Sequence, residues 1–283
     1  MTPQFKQLDK AGLLTLVDWA RNEGWNPGVY DAAAFWNTDP NGFYGYFIED
    51  KMIGGGSIVS YDGHFGFMGF FIVHPDYRGK GLGKELWMQR RNLLLTRLKP
   101  NASIGMDGVV AMQDFYAKGG FQLEFNDERH VRKGATFLFT EQIQSFTADD
   151  LDSLVNYDSI CFGYERRSFL QSWTQLPESA CFIYKDATSI RGYAVIRKAT
   201  DGFKIGPLFA DTNLIAEELY KACLNNAIDE NVYLDIPECN QHAVALVRKY
   251  QTEFVFACGR MYYGNPVALP TDKIFGITSF ELG

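Results

Sequence analysis

Gly69-Phe70-Phe71-Ile72-Val73-His74-Pro75-Asp76-Tyr77-Arg78-Gly79-Lys80-Gly81-Leu82-Gly83-Lys84-Glu85-Leu86-Trp87 is the most informative stretch of this 283-residue chain. It starts as an apolar run ending at Val73, too short for a buried helix and suited to a buried strand. Pro75 cannot donate to a ladder and biases His74 toward an extended backbone, so the strand ends there. Glycines follow at 79, 81 and 83, with Arg78, Lys80 and Lys84 among them. From Leu82 the spacing turns helical: Leu82, Leu86 and Leu93 share a face that Trp87, Leu94 and Leu98 widen. Such a loop is an anion site, because the first helical amides lack an internal partner and glycine lets the backbone approach a phosphate. The plainer alternative is a turn that simply needs glycine. The spacing fits neither a P-loop, which needs four residues between its glycines and then Lys-Ser/Thr, nor the dinucleotide fingerprint Gly-x-Gly-x-x-Gly.

On the N-terminal side, Asp9 caps a helix reaching about Ala20, and a second helix runs near Tyr30 to Trp36. Phe43–Ile48 and Met52–Ser60 read as a hairpin across Glu49-Asp50-Lys51, and Phe65–Val73 as the single strand entering the loop. Gly54-Gly55-Gly56 inside a strand means close helix packing or a bulge ahead of room for a ligand. On the C-terminal side, Ser103–Val109 is a strand, and Met112 to Lys118 a short helix capped by Gly119-Gly120. The cycle then restarts near 134–146. Helices over Ala148–Asn156 and Phe162–Trp173 precede hairpin strands at 181–186 and 192–196. A strand over Phe203–Ala210 and a helix over Asn213–Leu224 follow, then a strand at 232–237 and a helix at 243–250. The order of the first half is repeated, which places two domains at 1–140 and 141–283 in an α/β fold with mixed sheets.

The run Val73-His74-Pro75-Asp76-Tyr77-Arg78-Gly79-Lys80-Gly81-Leu82-Gly83, with Leu86, resembles the acyl-CoA loop of the GNAT N-acetyltransferases, Arg/Gln-x-x-Gly-x-Gly/Ala, read here at Arg78, Gly81 and Gly83. Phe115-Tyr116-Ala117-Lys118-Gly119-Gly120-Phe121 resembles a second motif of that family, and Gly206-Pro207-Leu208-Phe209-Ala210 resembles the C-terminal half of its tandem members. The resemblance implies two tandem GNAT-like folds and acetyl-CoA as co-substrate. Phe71, Ile72 and Val73 would then lie along the pantetheine arm, and Arg78, Gly79, Lys80, Gly81, Leu82, Gly83 and Lys84 around the pyrophosphate. Tyr116 would protonate the departing thiolate; half-buried packing is its plain alternative, and Lys118 reads as a solvated helix end. The general base is missing, since Phe65 to Phe71 holds no acid. Glu49, Asp107 and His74 are the candidates acting through water, the alternative being an amine that arrives neutral, and Asp107 also reads as a structural strand-end acid. In the second half Ala210-Asp211-Thr212-Asn213-Leu214-Ile215 replaces the glycine loop, and Leu246-Val247-Arg248-Lys249 lacks the tyrosine. One CoA is therefore expected per chain, bound by 1–140, while 141–283 completes the acceptor site, with Asp235 one candidate contact.

Composition bounds the rest. With 46% hydrophobic residues a sizeable core is expected and disorder is excluded. The first half carries fifteen basic and fifteen acidic residues, the second twelve and nineteen, so the net charge of −7 belongs to the second. That balance argues against nucleic acid and is compatible with a cationic small-molecule amine drawn to an acidic cleft. No apolar run reaches the ~20 residues of a membrane span and the first residues lack a secretory layout, so a cytoplasmic protein with no membrane partner is expected. Five widely spaced cysteines indicate buried thiols, neither a disulfide framework nor a metal site. The expected reaction is direct acetyl transfer to a small amine. A non-catalytic acyl-CoA sensor or scaffold and a protein N-terminal or lysine acetyltransferase stay open, and oligomeric state is not legible.

Overall fold

The computed structural model describes residues 2–187 and 189–283. The first half runs β1 (Gln4–Gln7), α1 (Lys10–Asn22), α2 (Asp31–Thr38), β2 (Phe43–Ile48), β3 (Lys51–Ser57), β4 (Val59–Tyr61), β5 (Phe65–Phe67), β6 (Ile72–Val73), α3 (Leu82–Arg97), β7 (Ser103–Val109), α4 (Gln113–Lys118) and β8 (Phe121–Lys133). The second runs β9 (Ile143–Ser145), α5 (Leu151–Phe162), α6 (Arg167–Trp173), β10 (Ser179–Lys185), β11 (Ile190–Lys198), β12 (Phe203–Ala210), α7 (Asn213–Asn225), β13 (Asn231–Pro237), α8 (Gln241–Lys249), β14 (Glu253–Tyr263) and β15 (Ile274–Gly276). The Asp9 carboxylate accepts from the Gly12 amide, the cap that starts α1. Gly163, at φ 91°, stops α5 at Phe162, so α6 begins only at Arg167.

The repeat is real: in each half a parallel strand pair, β5 with β7 and β12 with β13, is bridged by a helix, α3 or α7. The halves nevertheless interlock. β14 inserts between β7 and β8, while β8 sits between β14 and β13, so each half's long last strand completes the other's sheet. The two halves do not form two separate bodies in space. One buried cluster draws Leu13, Phe35 and Phe67 together with Trp173, Tyr193 and Leu282. Residues 1–140 alone would leave β7 and β8 without the strand that lies between them.

Two strands expected as single runs are divided. Met52–Ser60 becomes β3 and β4, and Phe65–Val73 becomes β5 and β6, each pair split between a four-stranded sheet (β1-β2-β3-β6) and the large sheet. The hinge is Phe70, at φ 51°, where the backbone leaves the extended region. Gly54, Gly55 and Gly56 answer to helix packing: a Cβ at Gly55 would sit 2.8 Å from Leu16 of α1, one at Gly54 3.1 Å from Leu86 of α3, and one at Gly56 would overlap the Arg90 guanidinium.

A row of buried charges crosses the large sheet. Arg260 donates to both Asp107 oxygens at 2.5 and 2.9 Å, Arg129 to both Asp235 oxygens at 2.6 and 2.7 Å, and Arg197 to Asp31 of α2 at 2.8 and 3.3 Å. Lys204 of β12 is equally buried, but its Nζ has no hydrogen-bond partner among the described residues. Burial, aided by the Arg129 charge, pushes its pKa down to about 8. The folded pKa thus lies below the unfolded one, so the buried ammonium costs stability at neutral pH, and the cost fades as pH rises from about 8 toward the unfolded value. Lys204→Met should raise stability by about 3 kcal/mol at pH 7, taking 1.36 kcal/mol per pKa unit, with a smaller gain above pH 9. Urea titrations at both pH values would check it, and an equal gain at both would contradict the buried-charge account.

Candidate active site

Beyond the hinge, β6 pairs with β3 and, among the described residues, its other edge stands free. Met68 still bonds the Gly105 carbonyl at 2.9 Å; past that point the two sheets diverge. The wedge between them is a cavity of about 380 Å³. Phe71, Ile72 and Val73 form one wall, Arg78, Gly79 and Gly83 the mouth, and Met106, Met112 and Tyr116 the opposite wall. The second half contributes Phe256, Cys258, Phe280 and Glu281.

The glycine loop sits where its spacing implied. Gly79 and Gly81 have φ of 74° and 79°, and Gly81 caps the N-terminus of α3. Apart from the adjoining residues of the chain, no described atom lies within 4 Å of a Cβ added at either. Arg78 donates to the Val73 carbonyl at 2.8 Å and pairs with Glu23. Lys80 folds back onto the Asp76 carbonyl and lies over the Tyr77 ring; Lys84 is exposed and Leu82 half-buried on α3.

Tyr116 is buried on α4, its ring packed against Gly108 and among Phe71, Trp87 and Phe115. Burial pushes its phenol up to about 12, partly offset by Arg90, so the proton stays on at neutral pH. Arg90 is the group that sequence reading passed over. It falls four residues after Leu86, on the face taken as apolar, and is fully buried. Its guanidinium donates to the Ser57 and Gly69 carbonyls at 2.5 and 2.6 Å, on either side of the point where the sheets part. Burial pushes its pKa down to about 9.

Two proposed bases are elsewhere. Glu49 is exposed in the β2–β3 turn, where its φ of 55° belongs to the hairpin, and the His74 ring packs on Trp19 and Tyr77 outside the cavity. Asp107 does border the cavity, but its carboxylate is sealed and spent on Arg260. Asp235 is buried against Arg129, which holds it below the usual carboxylate range although burial works the other way; it does not line the cavity. Among the described residues Glu281 is the one acidic residue of the second half that lines the cavity, whose walls are largely apolar, so the second half does not line it with carboxylates. Among the cysteines, Cys239 is exposed and the other four are buried free thiols.

Glu281 arrives with residues 277–283, which leave β15 and thread into the first half. The Ile277 amide donates to the Asp235 carbonyl at 2.8 Å, and the Tyr61 hydroxyl to the Leu282 carbonyl at 2.7 Å. No spacing signal in the sequence announces it. At the parting of the sheets Gly69 lies against the Glu281 main chain so tightly that a Cβ would strike its carbonyl. Gly69→Ala should therefore displace this segment and cost roughly 1–3 kcal/mol, as overpacking does. A denaturant midpoint equal to that of the unmodified protein would contradict the contact.

The second half shows what became of the equivalent slot. There β12 runs unbroken, and its C-terminal part, past the parallel pairing with β13, is covered by β15 through Leu208–Gly276 and Phe209–Ile274. Asp211, where the glycine loop would begin, is tied to Tyr157, Arg191 and Lys273.

Comparison with known proteins agrees with this architecture. Residues 11–121 match the acetyltransferase (GNAT) family and residues 154–276 the acetyltransferase (GNAT) domain. The chain is 29% identical over 268 residues to holothin acyltransferase of a Pseudoalteromonas species, spanning 94% of this chain and 90% of that one. It is 30% identical over 118 residues to an acetyltransferase of Pectobacterium atrosepticum, spanning 39% of this chain and 81% of that protein. The crystal structure of a proposed acetyltransferase from Pyrococcus horikoshii superposes with a TM-score of 0.85 at 19% identity, covering 100% of this chain and 96% of that one. The chain belongs to the GNAT acetyltransferase family and carries two GNAT domains in tandem. Among the described residues no helix is long and apolar enough to cross a membrane.

Proposed function

We propose that the protein transfers an acetyl group from acetyl-CoA directly to the amine of a small molecule, in a complex holding both. The observation that carries this reading is the free edge of β6. In the second half the corresponding edge is covered by an extended segment of the chain itself, β15, so the slot in the first half suits another extended, hydrogen-bonding arm. A pantetheine arm fits that description. Lying along Phe71 to Val73, it would bring the pyrophosphate to the amides at Gly79–Gly83 and the thioester into the cavity near Tyr116.

The acceptor would enter between Trp25, Phe256 and Phe280, surfaces that favour an amine carried on an apolar, flat body over a polyamine or an amino acid. The small-molecule acceptor in the name of the holothin relative supports that class. Release of free thiol from acetyl-CoA, measured across arylalkylamines, amino acids, polyamines and holothin, tests the reading, and turnover excludes a pure sensor. Calorimetry should give one CoA per chain; two would show that the covered slot in the second half still binds.

A further inference from the structure

Three carboxylate residues line the cavity: Glu23, Asp107 and Glu281. Glu23 is paired with Arg78 at the mouth, and Asp107 is sealed against Arg260. Glu281 differs from both: the residue is 3% exposed, and its Oε2 is buried without a hydrogen-bond partner. A buried acceptor left unmade costs on the order of 1–3 kcal/mol, which is reasonable for a group that finds its partner in a ligand. Its main chain is fixed: the Glu281 carbonyl lies against Gly69, and the Ser279 hydroxyl accepts from the amides of Glu281 and Leu282 at 3.3 and 3.1 Å.

We infer that Glu281, carried from the second half into the first, is the catalytic base that takes the proton of the acceptor amine. The inference rests on the amine-acetylation reading above. The ammonium form of the acceptor gives one proton to Glu281, and the neutral nitrogen attacks the thioester carbonyl. The N–C bond forms and the C–S bond breaks. Sulfur leaves with the Tyr116 proton, the remaining excess proton on nitrogen passes to the tyrosinate, and Glu281 releases its proton to solvent. The charges facing Glu281 are Asp107 on β7, Arg129 on β8 and Lys204 on β12. Arg129 is occupied by Asp235 and the Trp25 carbonyl, and the Lys204 Nζ makes no hydrogen bond among the described residues. Neither cation therefore closes an ion pair that would withdraw the carboxylate from the cavity. Interlocking of the two halves thus supplies the acid that the strand before the loop lacks.

Two nucleophiles separate a base from a structural residue. Phenethylamine is an ammonium ion at neutral pH and needs deprotonation; hydroxylamine is already neutral. Glu281→Gln keeps the shape and the main-chain contacts. It should lower kcat with phenethylamine by about 10²–10⁴-fold, with a deficit that shrinks as pH approaches the amine's own pKa. It should leave hydroxylaminolysis of acetyl-CoA, and CoA affinity by calorimetry, nearly unchanged. Glu281→Asp should recover part of the phenethylamine rate. An unchanged phenethylamine rate overturns the assignment, and so does an equal loss with both nucleophiles, which would mark Glu281 as structural. If the unmodified protein binds CoA yet acetylates neither nucleophile, the acetyl-transfer reading fails and the base assignment falls with it.

Discussion

Replacing Tyr116 with phenylalanine is expected to lower kcat for acetyl transfer by about 10²–10⁴-fold while leaving CoA affinity nearly intact. The ring is held by Phe71, Trp87, Phe115 and Gly108, contacts that phenylalanine preserves, so the fold should survive. Only the hydroxyl is lost. Burial, with Arg90 as a partial counterweight, keeps its proton in place, with a pKa of about 12. A thiolate is ordinarily a weaker base than that phenolate, so donation runs uphill in water. In the cavity it is helped because the departing thiolate is desolvated too and the tyrosinate forms in the field of the Arg90 guanidinium. Single-turnover kinetics with a confirmed acceptor would place the loss in the chemical step. Unchanged turnover would reduce Tyr116 to a packing residue.

Gly81→Val is expected to weaken CoA binding by roughly 10²–10³-fold. Gly81 caps α3 at φ 79°, a region that costs an L-residue roughly 1–2 kcal/mol and a β-branched one more. The loop would relieve that strain by moving, and the amides that would hold the pyrophosphate would move with it. A charged hydrogen bond lost in this way is worth about 1.5–3 kcal/mol, which brings the sum to two or three decades of affinity. Space is not the obstacle, because apart from the adjoining residues no described atom lies within 4 Å of the added Cβ, so the core should be undisturbed. Gly83 is not in the left-handed region, and a Cβ there would rest 3.5 Å from Phe71 and Val73, so Gly83→Val should act mainly by narrowing the slot. Calorimetry on both variants, with thermal midpoints as the control, orders the effects. Unchanged affinity for a well-folded Gly81→Val would remove the loop from the CoA site.

The end of the strand at Val73, the glycine loop and the helix after it were legible because they are local. Pro75, the positive φ of Gly79 and Gly81, and the helical spacing from Leu82 each act within a few residues, and the structure places all of them as read. The repeat was legible for the same reason, as an order of hairpins, strands and helices. So was the loss of the second loop, since Asp211 replaces a glycine by direct inspection.

Residues far apart in the chain decided the rest. The apolar run from Phe65 to Val73 says that each residue suits a buried strand. It cannot say that Phe70 turns the chain out of one sheet into another, because that depends on which neighbours remain for pairing. Helical spacing placed Arg90 on an apolar face; the carbonyls that its Nη2 reaches, Ser57 and Gly69, come from segments 33 and 21 residues away. Asp107 reads from sequence both as a base acting through water and as a structural strand-end acid; Arg260, 153 residues on, occupies it and makes it structural. The exchange of β8 and β14 carries Phe256 and Cys258 into the first half's cavity, and the segment leaving β15 brings Glu281 there. Sequence determines what each segment can do by itself; the pairing of distant strands determines which side chains meet, because it is settled by edges and buried charges that no single segment contains.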